Sequence, residues 1–360
     1  MSLWLIRCGR HGEHETDFLE NNRVLLTWRK LDDHIANDLP DRSTIRARLA
    51  ELYPNATPAK LSNNTGQINA FANRMQPGDW VVVPTKRRTL HVGEIKSGYR
   101  HHPDGPDPLY HSRDIDWLET DIPRTAFDQD ILNSLGAIMT ICQIKKNDAE
   151  ARVRAMARNG WTSAGITLDP AAAHAATGTP TASADDDASD ETDPAPLDLE
   201  QLARDQILRT LYAQYKGYGM EDLVQAILEA QGFTVHSPDK GPDGGVDLLA
   251  APGTLGFGTP RICVQVKSQA SPLDRPALDQ LVGTMSNVRA DQGLLVCWGG
   301  FKKTVKAELP RLFFKVRLWD QNDLLDQFLA HYDRFDDDLK AAVPLKRVWA
   351  VASGDESGDT

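Results

Sequence analysis

Apolar and polar positions follow two different rhythms along the chain. Residues 1–160 are dominated by short apolar runs bounded by turn residues: "LWLIRC" (3–8), "DWVVVP" (79–84), "LHVGEI" (90–95), "RDIDWL" (113–118) and "AIMTICQI" (137–144). Such runs read as strands. Helical spacing occurs at 43–52, 66–76 and 148–159, and Pro77-Gly78 punctuates a turn. The mixture predicts an α+β domain built on a curved, barrel-like sheet.

From residue 198 the rhythm changes. Helices are expected at 198–215 and 219–231, followed by strands near 233–236, 246–250 and 261–267. A helix (274–289), strand (293–298), helix (302–309), strand (315–319) and helix (321–330) complete the series. Strands alternating with helices predict an α/β domain with a mixed central sheet, over residues 198–350. Between the two rhythms lies "TLDPAAAHAATGTPTASADDDASDETDPAP", whose small and acidic residues cannot repay the entropy of ordering. Residues 165–197 are therefore expected to be a disordered acidic linker, and 351–360 a disordered tail.

Composition adds limits. The chain has 360 residues and a net charge of −11. Asp185, Asp186, Asp187, Asp190, Glu191 and Asp193 in the linker, with Asp355, Glu356 and Asp359 in the tail, carry most of that excess. The folded parts are then close to neutral and can still bind a polyanion through local basic patches. No apolar run reaches the roughly 18 residues of a membrane span. "MSLWLIRCGRHGEHE" lacks a basic lead and a cleavage pattern, so it reads as a first strand. Cys8, Cys142, Cys263 and Cys297 are far apart in apolar contexts. Buried, reduced thiols and a cytoplasmic location are expected, and zinc is disfavoured. No G-x-x-x-x-G-K-[ST] is present, so no nucleotide cofactor is expected.

The candidate chemistry centres on "ICVQVKS", residues 262–268. Side chains alternate along a strand, so Gln265 and Lys267 share one face, roughly 7 Å apart. Upstream, "DKGPDGGVDLLA" makes a tight turn and starts a strand near Asp247, and a hairpin through "APGTLGFGTP" would return the chain beside it. In "GYGMEDLVQAILEAQGF", Met220, Leu223, Val224, Ile227 and Leu228 form an apolar helical stripe with Glu221 on its edge. Two carboxylates, an amide and an ammonium can thus converge. Magnesium takes hard oxygen ligands of this kind. Asp247 would be the main ligand, with Glu221 and the Gln265 carbonyl beside it and Lys267 serving the attacking water and the phosphate charge.

"MEDLVQAILEAQGF … DGGVDLL … CVQVKS … LDQLVG … GLLVCWGGFKKT" resembles, in order and spacing, the Mrr-like branch of the PD-(D/E)xK nucleases, over roughly residues 215–330. The resemblance implies a restriction-endonuclease-like fold, magnesium (with manganese as substitute) and active-site positions at Glu221, Asp247, Gln265 and Lys267. It adds Asp243 as an auxiliary acid, against the plain reading of Pro-Asp-Gly as turn chemistry. Gln280 on the next helix either braces the site or is simply exposed. Lys302 and Lys303, with Lys306, are read either as phosphate contacts or as a solvated face.

Residues 1–145 resemble the EVE-like, PUA-like small barrels that accompany restriction nucleases, through "FANRMQPGDWVVVPTKRRTLHVGEIKSGYRHHPDGPDPLYHSRDIDW" and the early loop "LTWRKLDD". The resemblance implies a pocket that holds a flipped or modified base between aromatic walls. Candidate walls are Trp28, Trp80, Tyr99 and Trp117, each with the alternative of being core. Lys86, Arg87 and Arg88 form a basic turn suited to DNA backbone contact. The expectation for the whole chain is a modification-dependent endonuclease acting as a homodimer on double-stranded DNA. Its rivals are a nuclease for unmodified or branched DNA or RNA, and a non-catalytic DNA-binding module.

Overall fold

The computed structural model describes residues 1–9, 12–32, 42–161, 198–238 and 245–349. The expected linker and tail, and Asp243, lie outside these residues. The chain divides into two units, Met1–Leu202 and Ala203–Trp349.

The first unit contains strands β1 (Leu3–Ile6), β2 (Arg23–Leu26), β3 (Trp80–Pro84), β4 (Thr89–Ile95), β5 (Arg100–His101), β6 (His111–Pro123) and β7 (Ile141–Gln143). Its helices are α1 (Glu15–Glu20), α2 (Arg42–Leu52), α3 (Pro58–Asn69), α4 (Gln129–Leu135) and α5 (Ala149–Arg158). The strand order is β2-β6-β4-β3-β1-β7, with β5 beside β6. Only β1 and β3 pair in parallel. The sheet curls without closing, a half-barrel in place of the expected barrel. Register shifts between β4 and β6 at Leu90/Val92 and Val92/Gly93 help to bend it.

Both faces of this sheet are covered, which explains runs such as "LWLI" that are apolar throughout. One face buries Trp4, Ile6, Val81, Val83 and Ile95 against Ile45, Leu49, Ile68 and Phe71. The other buries Leu3, Leu5, Val82, Leu90 and Val92 against Ile131, Leu135, Val153 and Met156. After α3 the backbone widens into a π-helical turn, Ala70–Arg74. Arg113, 2% exposed on β6, donates there to the carbonyls of Phe71 (2.7 Å) and Ala72 (2.9 Å), and also to Ser97 O (3.2 Å). Burial lowers the Arg113 pKa to about 10.

The second unit has a five-stranded sheet in the order β12-β11-β10-β9-β8. The strands are β8 (Phe233–His236), β9 (Leu248–Pro252), β10 (Ile262–Lys267), β11 (Gln292–Cys297) and β12 (Val316–Trp319). β8, β9 and β10 run antiparallel, whereas β10, β11 and β12 run parallel. Helix α6 (Leu199–Tyr215) begins in the first unit and enters the second at Ala203, and α7 (Gly219–Ala230), α8 (Arg275–Asn287), α9 (Lys303–Lys306), α10 (Leu309–Leu312), α11 (Gln321–His331) and α12 (Asp337–Ala342) accompany the sheet.

The apolar stripe of α7 packs with Leu248, Val264 and Val266, while α8 covers Cys263, Leu295 and Cys297 on the other face. The expected helix at 302–309 is two short helices, α9 and α10. The four cysteines are free thiols, three of them buried and Cys142 half-buried. No described helix is long and apolar enough to cross a membrane.

Candidate active site

The hairpin β9–β10 sets the register that matters. Leu248 pairs with Val264, so the next step along the ladder puts Asp247 opposite Gln265. The Asp247 amide donates to Val264 O at 3.1 Å, which carries the ladder one residue past the end of β9. The Asp247 carboxylate then crosses to β10. Its Oδ2 accepts from Val266 N at 2.6 Å and lies 3.6 Å from Lys267 Nζ, while Oδ1 takes part in neither contact. Lys267 keeps about a third of its side chain exposed and Asp247 about a fifth, so the pair lies at the rim of the sheet.

Gln265 forms the floor. It is 0% exposed and its Nε2 donates to Gly245 O at 3.1 Å, whereas its Oε1 is buried with no hydrogen-bond partner in the protein. An orphaned buried acceptor costs about 1–3 kcal/mol, so its persistence beside a carboxylate and an ammonium calls for a reason. Gly245 has φ +87°, and a Cβ there would sit 2.8 Å from Gln280 Nε2 and 3.4 Å from Gln265 Nε2. Glycine is required at that point, and Gln280 of α8 stands beside the floor.

Glu221 is half-buried in the first turn of α7. That helix covers the Val264/Val266 face of β10, opposite the side of Gln265, so Glu221 can meet the others only around the end of the sheet. The structure therefore brings together Asp247, Gln265 and Lys267, with Gln280 adjacent, and places Glu221 on the neighbouring helix. Among the described residues no three of His, Cys, Asp and Glu gather at one point. The oxygens available for a hard divalent cation are a carboxylate and an orphaned amide carbonyl, and these fit magnesium chemistry.

Two loops close over the same end. The backbone after Lys267 is tied to the turn after β11 by Trp298 N to Lys267 O (3.0 Å) and Gly299 N to Gln269 O (2.9 Å). A Cβ on Gly299 would come within 2.4 Å of the Ala270 carbonyl, which explains the glycine in "WGGFKKT". Lys302 and Lys303 follow, both exposed, and Lys302 Nζ lies 2.9 Å from Asp274 Oδ2. Lys302, a backbone bond from Arg275 and Thr304 together hold the Asp274 carboxyl down to about 2.

The aromatic residues of the first unit do not gather in one place. Trp28, Tyr99 and Trp117 are partly buried against one face of the half-barrel. Trp80 is 7% exposed in the core of the opposite face, under Arg154 at 4.3 Å from its ring centroid and 6.5 Å from Trp161. It is a core residue and lines no pocket with the other three. Tyr99 OH donates to His111 Nδ1 at 2.8 Å, since His111 Nε2 donates to Leu31 O at 2.6 Å. Trp117 stands edge-on to His91 at 5.7 Å, and its buried Nε1 has no partner in the protein.

In the basic turn, Arg88 is ion-paired with Glu200 at 3.0 Å, and the Lys86 backbone donates to Glu15 at 2.9 Å. Arg87 lies in the same turn. The backbone's share of the site, namely Gly245 O and Val266 N, could not be read from residue types, because neither depends on a side chain.

No curated protein matches the chain. Residues 4–145 match a domain family of unknown function, DUF8426. Among solved structures, the MspJI restriction endonuclease in complex with a 27-mer oligonucleotide aligns with 95% of this chain and 80% of its own, at 17% identity and TM-score 0.31. The DNA modification-dependent restriction endonuclease AspBHI aligns with 80% of this chain and 74% of its own, at 13% identity and TM-score 0.33. A protein of unknown function, AF1548, aligns with 35% of this chain and 78% of its own, at 14% identity and TM-score 0.25. Residues 212–328 match the Mrr_cat family, described as a restriction endonuclease.

Proposed function

We propose that the chain is a modification-dependent, type IV-like restriction endonuclease that hydrolyses DNA phosphodiesters with a divalent metal. One observation carries this reading above the others. The Gln265 carbonyl oxygen is buried and unpartnered beside the Asp247–Lys267 pair, in a domain of the restriction endonuclease kind.

Asp247 and Gln265, with Glu221, would hold magnesium, or manganese in its place. When bound, the cation supplies Lewis-acid polarisation of the scissile phosphate. An amide where a further carboxylate could stand leaves the site less negative as a phosphate approaches. Lys267 orients the attacking water and stabilises negative charge building on the phosphate oxygens. Lys302 and Lys303, beyond the C-terminal end of β11 next to the loop after Lys267, hold the DNA backbone. Cutting both strands takes two such domains, so a homodimer on double-stranded DNA is part of the proposal.

The first unit is assigned as an EVE/PUA-like reader of a modified base. Trp28, Tyr99 and Trp117 share one face of its sheet, and aromatic stacking there would offset the few kcal/mol of unstacking a flipped base.

The test is cleavage, with magnesium, of one plasmid in unmodified, cytosine-methylated and hydroxymethylated forms. Cleavage of a modified form alone is expected. Equal cleavage of all three would remove the reader, and a unit that cuts RNA or no nucleic acid at all would remove the endonuclease.

A further inference from the structure

The second sheet carries an unusual surface at the end remote from Lys267. Lys267 pairs with Cys297 at the catalytic end, whereas Val316 pairs with Gly293, four residues back along β11. The chain reaches that far end through α9 and α10, and the turn before β12 leaves Phe313 54% and Phe314 85% exposed. Single exposed apolar residues are ordinary, but two large rings side by side form an apolar outcrop.

The outcrop is braced from below. The two rings stand perpendicular with centroids 5.1 Å apart, and the Arg317 guanidinium lies 4.5 Å from the Phe313 centroid. Arg317 also donates to the Phe313 carbonyl and, at 3.1 Å, to the Val316 carbonyl. Phe314 thus projects from a fixed base.

Its surroundings are cationic. From Leu309 to Trp319 the chain carries Arg311, Lys315 and Arg317 and no acid. All three are exposed. Arg311 reaches Glu308 at 2.9 Å, but Arg275 of α8 takes the same side chain at 3.1 Å. Exposed aromatic rings among cations suit a polyanion that has flat apolar faces inside it, which is a nucleic acid. A second copy of this chain would bring the same three cations against them, and like charges across a twofold contact repel.

We propose that Phe313 and Phe314 form a wedge that enters the DNA flanking the cut, with Arg311 and Lys315 on the phosphates beside it. This rests on the reading of the chain as a DNA endonuclease. Four residues of strand and the two before Val316 set Phe314 up to about 20 Å from the level of Lys267, at roughly 3.3 Å per residue. That is about six base pairs of duplex at roughly 3.4 Å each. Apolar side chains inserted at a base step partly unstack it while basic neighbours hold the backbone.

The full chain is titrated with duplex DNA over a range of salt concentrations, without metal so that nothing is cut. Phe313→Ala with Phe314→Ala is expected to weaken binding about tenfold or more and to leave the slope of log K against log salt unchanged, because stacking releases no counterion. Arg311→Gln with Lys315→Gln is expected to reduce that slope by about two. All four side chains are exposed, so neither pair of substitutions touches the core. Wild-type affinity in the phenylalanine variant would overturn the wedge, and if that variant also cuts duplex DNA with magnesium as the wild type does, the endonuclease stands without it. A wild type that neither binds nor cuts duplex DNA would remove both. Sedimentation of the same variant and its attachment to phosphatidylserine vesicles are measured alongside. Loss of an oligomer, or of vesicle attachment, with DNA affinity intact would overturn the wedge and assign the outcrop to a second copy or to a membrane surface.

Discussion

Arg113 of the first unit and Gln265 of the second are both polar residues buried on central strands, and they are treated in opposite ways. Arg113 places Nε, Nη1 and Nη2 on three backbone carbonyls, two of them in the π-helical turn it steadies. Gln265 places its amide nitrogen on one carbonyl and leaves its oxygen unpartnered. Nearly all buried polar groups are satisfied in native proteins, so a partner for each nitrogen of Arg113 marks structure, and the unpartnered oxygen of Gln265 marks a place kept for something else. The difference lies in the accounting of hydrogen bonds, not in burial.

The largest effect expected from this contrast is on Gln265. Gln265→Leu removes the orphaned oxygen together with the bond to Gly245, so stability by chemical denaturation should move by no more than about 1 kcal/mol. Cleavage should fall about 10²–10³-fold, as when a group that stabilises transition-state charge is lost. A large loss of stability with cleavage intact would make Gln265 structural and end the contrast.

Arg113→Met should behave in the reverse way. It strands the carbonyls of Phe71, Ala72 and Ser97 and should lower the stability of the first unit by about 3 kcal/mol, read as a shifted unfolding midpoint, with the nuclease chemistry unchanged per folded molecule.

The tryptophans sharpen the same distinction within one sheet. Trp80→Ala opens the core beside Trp161 and Arg154 and should cost about 3 kcal/mol of stability. Trp28→Ala should leave stability nearly unchanged and reduce discrimination between modified and unmodified DNA by about tenfold, the worth of one stacking contact. Equal effects on both measurements would show that exposure does not separate wall from core here.

The smallest effect concerns Asp274. Its pKa is about 2 in the fold against an ordinary 3.8, so its contribution is complete above the ordinary value and is lost as pH falls through about 2. Lys302→Ala removes the first cause of that shift and should raise the Asp274 pKa, followed by NMR titration of the carboxyl.

Much of this was legible in the residues themselves. The alternation in "ICVQVK" and the hairpin to Asp247 depend on neighbouring strands and period two, and β10 and its partner occur where the pattern puts them. The α7 stripe is likewise local and appears residue for residue.

Other features were missed because the deciding interactions are distant. Helix α3 starts at Pro58 behind the Thr57 cap, eight residues before the apolar spacing at 66–76 shows it, and the cap was the readable signal. The segment 302–309 divides because Pro310 opens a new helix at α10. Strand β2 and helix α4 were not predicted, since "RVLL" and "QDILNSL" are too short for periodicity to identify. The face on which Trp80 points depends on the registry of a half-barrel covered on both sides, which apolar runs cannot disclose.

The most direct test of the central claim is single-turnover cleavage of a modified DNA duplex with magnesium by the wild type and by Lys267→Ala, with binding of the same duplex measured in parallel. The account predicts that Lys267→Ala binds within a few-fold of the wild type and cleaves about 10²–10³-fold more slowly. Cleavage by Lys267→Ala at the wild-type rate would show that the Asp247–Gln265–Lys267 constellation is not where the phosphodiester is cut.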